Sequence, residues 1–509
     1  MSKIFNSVEV RKSRRNLFNL SHDFKFTGNM GYVIPTLALE CVPGDSFKKL
    51  GCKSLTRFMP LVSPVMHRMN LKMEYYFVPN RLLWDGWEDF ITPGKADPLP
   101  AFPYWKVKPN DASTYSRMLN YMGIPNPATI PGAFDDERIS ALPLAAYQMV
   151  YNDYYRNPQI DPEIDYKLVD GDNGGNAELI KLRMRGWGKD YFTSALPTAQ
   201  AGPAVDIPLG DVMLKDDLGI EQLIKRVDNH QPVTGDLEAD AGVFQKSGID
   251  DVEVLLDPNG TLEIEPTTIQ TLRRAFRLQE WFERALRGGT RYVESIWSFF
   301  GVRSPDARLQ RSEFITGVKT PVNISEVLNT TGTDELPQGN MAGHGIAVLS
   351  DDKAGRYFCQ EHGYIIGVCS VVPIPAYMQG IPKHFLKITD PYQYYWEQFA
   401  NIGEQEITRN EIFAYFGSQQ LFGYTPRYAE YKQIPNRVAG QLQTSLKFWT
   451  LVRDFENAPE LNEDFVRIDP ATTDRVFAVT DPDEDKLVFH VYHDILVSRQ
   501  MPIYGTPTL

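Results

Sequence analysis

The sequence holds only four cysteines, Cys41, Cys52, Cys359 and Cys369, and none lies in a C-x-x-C pair. Four such thiols in a chain of this length form no disulfide framework. Cys41 and Cys369 sit inside apolar runs, so buried, reduced thiols are expected. No apolar run reaches the roughly 18–20 residues that a spanning helix needs. The first residues, MSKIFNSVEVRKSRRN, lack the apolar stretch and small-residue cleavage site of a secretory signal, so synthesis and folding in a cytoplasm are expected. No G-x-x-x-x-G-K-[ST] phosphate loop and no G-x-S-x-G nucleophile elbow occurs. The eight histidines are scattered without a nucleophile spacing. An enzyme is therefore not expected, nor a cofactor or a metal site.

What is present is a chain rich in apolar, aromatic and turn-forming residues. Hydrophobic residues make up 42%, aromatics 12%, and 36 Pro and 37 Gly are spread along the length, a composition that fits a β-rich protein with many turns. The net charge of −13 argues against a general nucleic-acid binder. That charge is uneven. Residues 206–265 hold 15 Asp/Glu against four Lys/Arg, whereas residues 3–15 carry Lys3, Arg11, Lys12, Arg14 and Arg15 against Glu9 alone. Such asymmetry implies surfaces that face different partners.

Periodicity supplies the elements. Residues 1–25 read as a basic arm, and residues 26–509 as one elaborated domain. GYVIPTLALECVPGDSF (31–47) alternates like a strand, and Pro35 predicts an edge position or a bulge. Residues 70–78 alternate with one buried and one wetter face. A helix follows Pro143 and stops before Pro158. A second covers 268–287, with Ile269, Leu272, Phe276, Phe282 and Leu286 on one stripe, Thr267 and Gln270 as a capping box and Gly288 as the C′ glycine. Further strands are expected at 363–373, near 445–453, at 475–480 and at 486–498, the last two forming a hairpin around DPDED (481–485). The fold class is mainly β, a sandwich or jelly roll with long insertions and a few helices.

Candidate sites are few. His490 and His493 of HVYH stand three apart on a strand and face opposite sides, so they cannot converge on one ion. VDGDNGG (169–175) offers Asp170 and Asp172 at calcium-loop positions, but Gly174 stands where a ligand is needed, and a Gly-rich turn fits better. DPDED reads as a solvated turn. RKSRR (11–15) is the best nucleic-acid candidate: Arg11, Lys12, Arg14 and Arg15 could each neutralise a phosphate.

Several ordered blocks resemble the major capsid proteins of gokushoviruses, within the microviruses. They include FNLSHDFKFTGNMGYVIPTLALECVPGDSF (18–47), PLVSPVMHRMNLKMEYYFVPNRLLWDGWEDFI (60–91), ALPLAAYQMVYNDYYRN (141–157), KDYFTSALPTAQAGPAV (189–205), RGGTRYVESIWSFFGVRSPDARLQRSEFITG (287–317) and FGYTPRYAEYKQIPNRVAGQL (422–442). The resemblance implies an eight-stranded antiparallel jelly roll, assembled as a T=1 icosahedral shell around circular single-stranded DNA. It also implies a variable insertion that forms a protrusion at the threefold axes. The acidic segment 206–265 lies where that insertion belongs, so Asp228, His230, Asp236, Glu238 and Asp240 are candidate host-contact residues. The expected partners are copies of the chain, packaged DNA, a small basic DNA-binding virion protein and a host surface receptor, with the virion as the location. The alternatives are a β-sandwich that binds or cleaves carbohydrate, given the Tyr/Trp wealth, and a spike-like virion protein.

Overall fold

The computed structural model describes residues 14–92, 97–109, 111–130, 137–202, 268–289, 303, 305–328, 341–350, 354–415 and 420–504, together with the helix Tyr292–Phe300 and, as backbone, short strands between 212 and 264. Compact units are formed by Met1–Ala199 with Gly288–Leu509, and by Gln200–Arg287.

In the first unit two antiparallel sheets face each other. One contains β1 (Asn16–Asn19), β2 (His22–Gly28), β4 (Ser46–Phe58), β7 (Asn323–Leu328), β8 (Met341–Leu349), β9 (Gly355–Phe358) and β11 (Leu487–Arg499); the other contains β3 (Ile34–Cys41), β5 (Met69–Pro79), β6 (Glu313–Pro321) and β10 (Gly363–Pro373). The expected eight strands become eleven because β4 and β11 are 13 residues long and each takes two short partners end to end. β8 pairs with Ser54–Arg57 and β9 with Ser46–Leu50 of β4. β2 pairs with Leu487–His493 and β1 with Leu496–Arg499 of β11. Four lanes in each sheet make the jelly roll, and β7 adds one strand outside β8.

Alternation drives the two sheets together. Phe47, Leu50, Cys52 and Phe58 of β4 and Phe489, Val491, Ile495 and Val497 of β11 meet Leu71, Met73, Tyr75 and Phe77 of β5 and Ile365, Cys369 and Val371 of β10 in one buried cluster. All four cysteines are free and buried. β3 is an edge strand, and the register shifts where Pro35 meets Val368, so both expectations for that proline hold.

The second sheet is buried on its outer face as well. Tyr76, Val78, Ile366 and Val368 lie under α1 (Leu142–Tyr154), whose residues 144–152 are all buried. That cover is why the outer face of β5 is wet only at its beginning, at Asn70, Lys72 and Glu74. Arg185 fastens the layers. Its Nη1 donates to Glu74 Oε2 at 2.7 Å and Ser370 Oγ at 2.6 Å, while Tyr155, which follows α1, donates to the same Glu74 oxygen at 2.7 Å. Burial disfavours the Glu74 carboxylate, but the Arg185 charge and these hydrogen bonds outweigh it and hold the group below its ordinary range.

Two expected strands are absent. Residues 445–453 contain the 3-10 turn Lys447–Trp449, and 470–476 form another. The Arg475 guanidinium donates to the carbonyls of Thr450 and Val452, so the apolar residues there are buried without a ladder. DPDED therefore joins a 3-10 turn to β11 and is no hairpin tip; Lys486 folds back, its Nζ donating to Asp481 O.

In the second unit α2 (Ile269–Gly288) begins one residue later than expected. Thr268 Oγ1 accepts from Thr271 N at 3.2 Å, and the left-handed glycine is Gly289, φ 100°, in place of Gly288. Thr267 lies outside the described residues. Ile269 and Phe276 of the expected stripe are exposed, and Leu286 is the buried one. The short strands nest: Val212–Leu214 with Leu262–Ile264, Ile224–Arg226 with Val254–Leu256, and Leu237–Asp240 with Val243–Lys246.

Candidate nucleic-acid interface

The outward face of the larger sheet is uncovered, and strand alternation makes it basic. On β4 the inward Cys52, Ser54, Thr56 and Phe58 are buried, while Lys48, Lys53 and Arg57 are exposed. The register sets Lys53 beside Tyr492 and Tyr492 beside Asp23. Leu55, His490 and Lys25 form the next row across the sheet, and Arg57, Val488 and Thr27 the one after. Lanes lie about 4.8 Å apart, so Lys25, Lys53 and Arg57 share one small patch. Arg356 on β9 adds a further exposed cation. The carboxylates on this face are engaged: Asp23 Oδ1 holds His490 Nε2 at 2.7 Å, and Asp494 pairs with Lys49. Val488, Val348 and Phe358 leave apolar surface exposed between the cations. Cations interleaved with apolar and aromatic groups on an open sheet match what a single strand needs, phosphate neutralisation together with surfaces on which bases pack.

The basic arm leads into the same sheet. Arg14 and Arg15 are exposed and directly precede β1, and the Arg15 guanidinium lies 5.8 Å from the Phe358 ring centre on β9. Arg11 and Lys12 lie outside the described residues. Sequence reading missed Lys25, Lys53 and Arg57 because they are dispersed between other residues and only cross-strand register gathers them. Of the candidate host-contact residues, Glu238 and Asp240 lie on the strand Leu237–Asp240, opposite Gln245 and Val243; Asp228, His230 and Asp236 lie outside the described residues. The arm belongs to the first unit and these strands to the second.

The remaining motifs serve the fold. Asn173 closes the 169–175 turn, its Oδ1 accepting from Val169 N at 3.0 Å and its Nδ2 donating to Val169 O and Gly171 O, both at 3.0 Å. Asp170 accepts from Trp84 Nε1 at 2.7 Å. His490 points outward, as alternation requires, and His493 is fully buried. His493 Nε2 donates to Thr36 O at 3.0 Å, and Nδ1 lies 2.8 Å from the Tyr75 hydroxyl.

Burial, with the neighbouring His22, pushes His493 down to about 4. The unfolded chain binds the proton near pH 6.5, so between those values unfolding takes up a proton and stability rises with pH. The contribution is complete above about pH 6.5 and is lost as pH falls toward 4. Chemical denaturation at pH 7 and 4.5 is expected to show a loss of stability, and His493→Gln should reduce that loss by about 2 kcal/mol. An unaltered pH slope in the variant would refute the assignment.

A jelly-roll sandwich with a covered sheet, an open basic sheet and long loop insertions is a fold class that includes viral shell proteins. The family profile described as "Capsid protein (F protein)" matches residues 6–509. Capsid protein VP1 of Chlamydia phage 1 is 30% identical, covering 100% of this chain and 98% of the relative. Capsid protein VP1 of Bdellovibrio phage phiMH2K is 32% identical over 99% and 97%, and that of Spiroplasma virus 4 is 28% identical over 97% and 95%. The chain belongs to the microvirus capsid family of the F protein type. It is a structural major capsid protein of the virion and not an enzyme, and copies of it build the shell. Among the described residues no helix is long and apolar enough to cross a membrane.

Proposed function

We propose that copies of this chain close into a T=1 icosahedral shell around circular single-stranded DNA, with the open basic sheet and the arm turned inward. The observation that carries this reading is the continuity of Arg14 and Arg15 with the Lys25, Lys53 and Arg57 face through β1. A phosphate backbone would meet both at once. The arm and face hold too few cations to neutralise a genome, so a small basic virion protein or solution cations supply the rest. The acidic insertion 206–265 is turned outward, where it is kept from the packaged polyanion and meets a host surface receptor. Assembly takes place in the host cytoplasm.

Electron microscopy of the expressed chain should show uniform isometric particles, whereas open rings or a stable monomer would refute closure. Deleting residues 212–260 and joining the ends with a short linker should leave particles that assemble but attach poorly to host cells. Loss of assembly with an intact subunit fold would make the segment a subunit contact instead. Neutralising Arg11, Lys12, Arg14 and Arg15 should lower the nuclease-protected DNA per particle; unchanged packaging would remove the arm from this role.

A further inference from the structure

Within the segment between β10 and β11, residues 385–402 expose a cluster of large apolar side chains. Ile388, Tyr392, Trp396 and Ile402 are all more than half exposed, Ile388 at 84%. Their backbone is ordered. Asp390 and Gln393 form a capping box on the turn Pro391–Gln393, Thr408 and Glu411 form another on Arg409–Glu411, and the strands Glu404–Thr408 and Leu421–Pro426 pair. Underneath, Tyr191, Phe192, Tyr377, Ile407, Phe422 and Phe465 form a small core of their own. The surface is thus preformed, with its aromatics held outward.

Within it lies a cleft of about 800 Å³ with Phe385, Tyr394, Tyr431 and Ile434 in its walls. Phe385 and Ile434 are highly exposed, Ile434 at 83%. The lysines of the cleft are already neutralised. Lys383 Nζ bonds Glu411 Oε1 at 2.9 Å, and Lys387 Nζ lies 2.6 Å from Glu430 Oε1 and 4.1 Å from the Tyr431 ring centre. Arg437 is the remaining cation in the lining. On the β4 face, by contrast, Lys25, Lys53 and Arg57 make no ion pair among the described residues. An aromatic surface whose lysines are paired matches the core of a permanent protein contact, which is rich in Tyr, Trp and Phe and poor in unpaired charge, with Arg437 at its rim. A lone subunit keeps Phe385, Ile388, Tyr392, Trp396, Ile402 and Ile434 in water.

We propose that this face is a contact between copies of the chain in the shell, with an apolar side chain of the neighbouring copy seated in the cleft. The occupant follows from the role of the protein, since a capsid subunit meets mainly other copies of itself and closed symmetry presents the same two surfaces at every repeat. The inference rests on shell formation and adds where one subunit holds the next.

Ile434→Cys gives a direct test, because the four native cysteines are buried. Maleimide labelling of the introduced thiol should be at least about tenfold slower in purified particles than in dissociated subunits, the protection expected when the contact stays closed. Labelling in particles at the subunit rate would overturn the contact alone. Protection that persists after dissociation would mean that a bound small molecule fills the cleft, and would overturn it too. A chain that stays monomeric and freely labelled would defeat shell formation together with the contact. As a second measurement, the double variant Phe385→Ser/Ile434→Asp should melt at the wild-type temperature yet give about tenfold fewer closed particles, with Ile434→Leu restoring them. Wild-type particle yield from the double variant would refute the proposal.

Discussion

Replacing Lys25, Lys48, Lys53 and Arg57 with glutamine should weaken single-stranded DNA binding by roughly a hundredfold near 0.15 M salt. The size follows from counterion release. Each phosphate neutralised on a single strand contributes about 0.7 to the slope of log K against log salt, so four contacts contribute about 2.8. These side chains project from strands whose opposite residues are fixed in the core, so the substitutions leave Leu50, Cys52, Phe58 and Phe489 where they are. Anisotropy of a short fluorescent oligothymidylate with dissociated subunits, titrated with salt, reads both affinity and slope. Neutralising the exposed Lys108 and Lys167 on the helix-covered side serves as the control and should change neither. A slope unchanged in the fourfold variant would detach the sheet face from the genome and leave the arm as the remaining candidate.

Arg185→Met is expected to destabilise the subunit by about 3–5 kcal/mol, because Glu74 would keep its charge in a buried site without its partner. The cost reaches beyond one ion pair. Arg185 also donates to Ser370, and its guanidinium lies 4.7 Å from the Tyr155 ring centre, so β5, β10 and the end of α1 lose a common fastening. Removing both charges, as Glu74→Leu/Arg185→Met, should recover most of the loss, since no stranded carboxylate remains. Denaturant midpoints of the wild type, the single and the double variant give the comparison. A double variant no more stable than the single one would show that packing around Arg185, and not the stranded charge, dominates. The sign with pH follows from the direction of the Glu74 shift. Its folded-state value is depressed, so its stabilisation is present above the ordinary carboxylate range and is lost as pH falls through the folded-state value.

Strands with clean alternation and a turn at each end were legible in the sequence, as for β5, β10 and β11. Pro35 located both an edge and a register shift, because its missing N–H forbids a central ladder position. The apolar runs at 445–453 and 475–480 misled for a physical reason. The carbonyls of Thr450 and Val452 accept from the Arg475 side chain, and residues 470–476 bond within a 3-10 turn, so burial there requires no neighbouring strand, and period-two patterning cannot distinguish the two solutions. α2 was legible in extent, but its exposed stripe was not, since amphipathicity reports that a face seeks cover and not what covers it. Arg14 and Arg15 of the arm are exposed, and its cations were legible as a run. The cations of the sheet face were not, since Lys25 and Lys53 become neighbours only through β11, which is encoded more than four hundred residues after either.

That same strand sets a timetable. β11 lies between β4 and the β1–β2 lane, and its inward residues pack the core, so the larger sheet is split until residues 487–499 have been synthesised. At about 5–20 residues per second, β4 waits tens of seconds for its central partner. During that interval the inward residues of β4 lack the Phe489, Val491, Ile495 and Val497 side chains that complete their core. A chain stalled before residue 487 therefore holds the β1–β2 lane and β4 as edges with no strand between them, and the arrival of β11 joins the two halves of the sheet in one step.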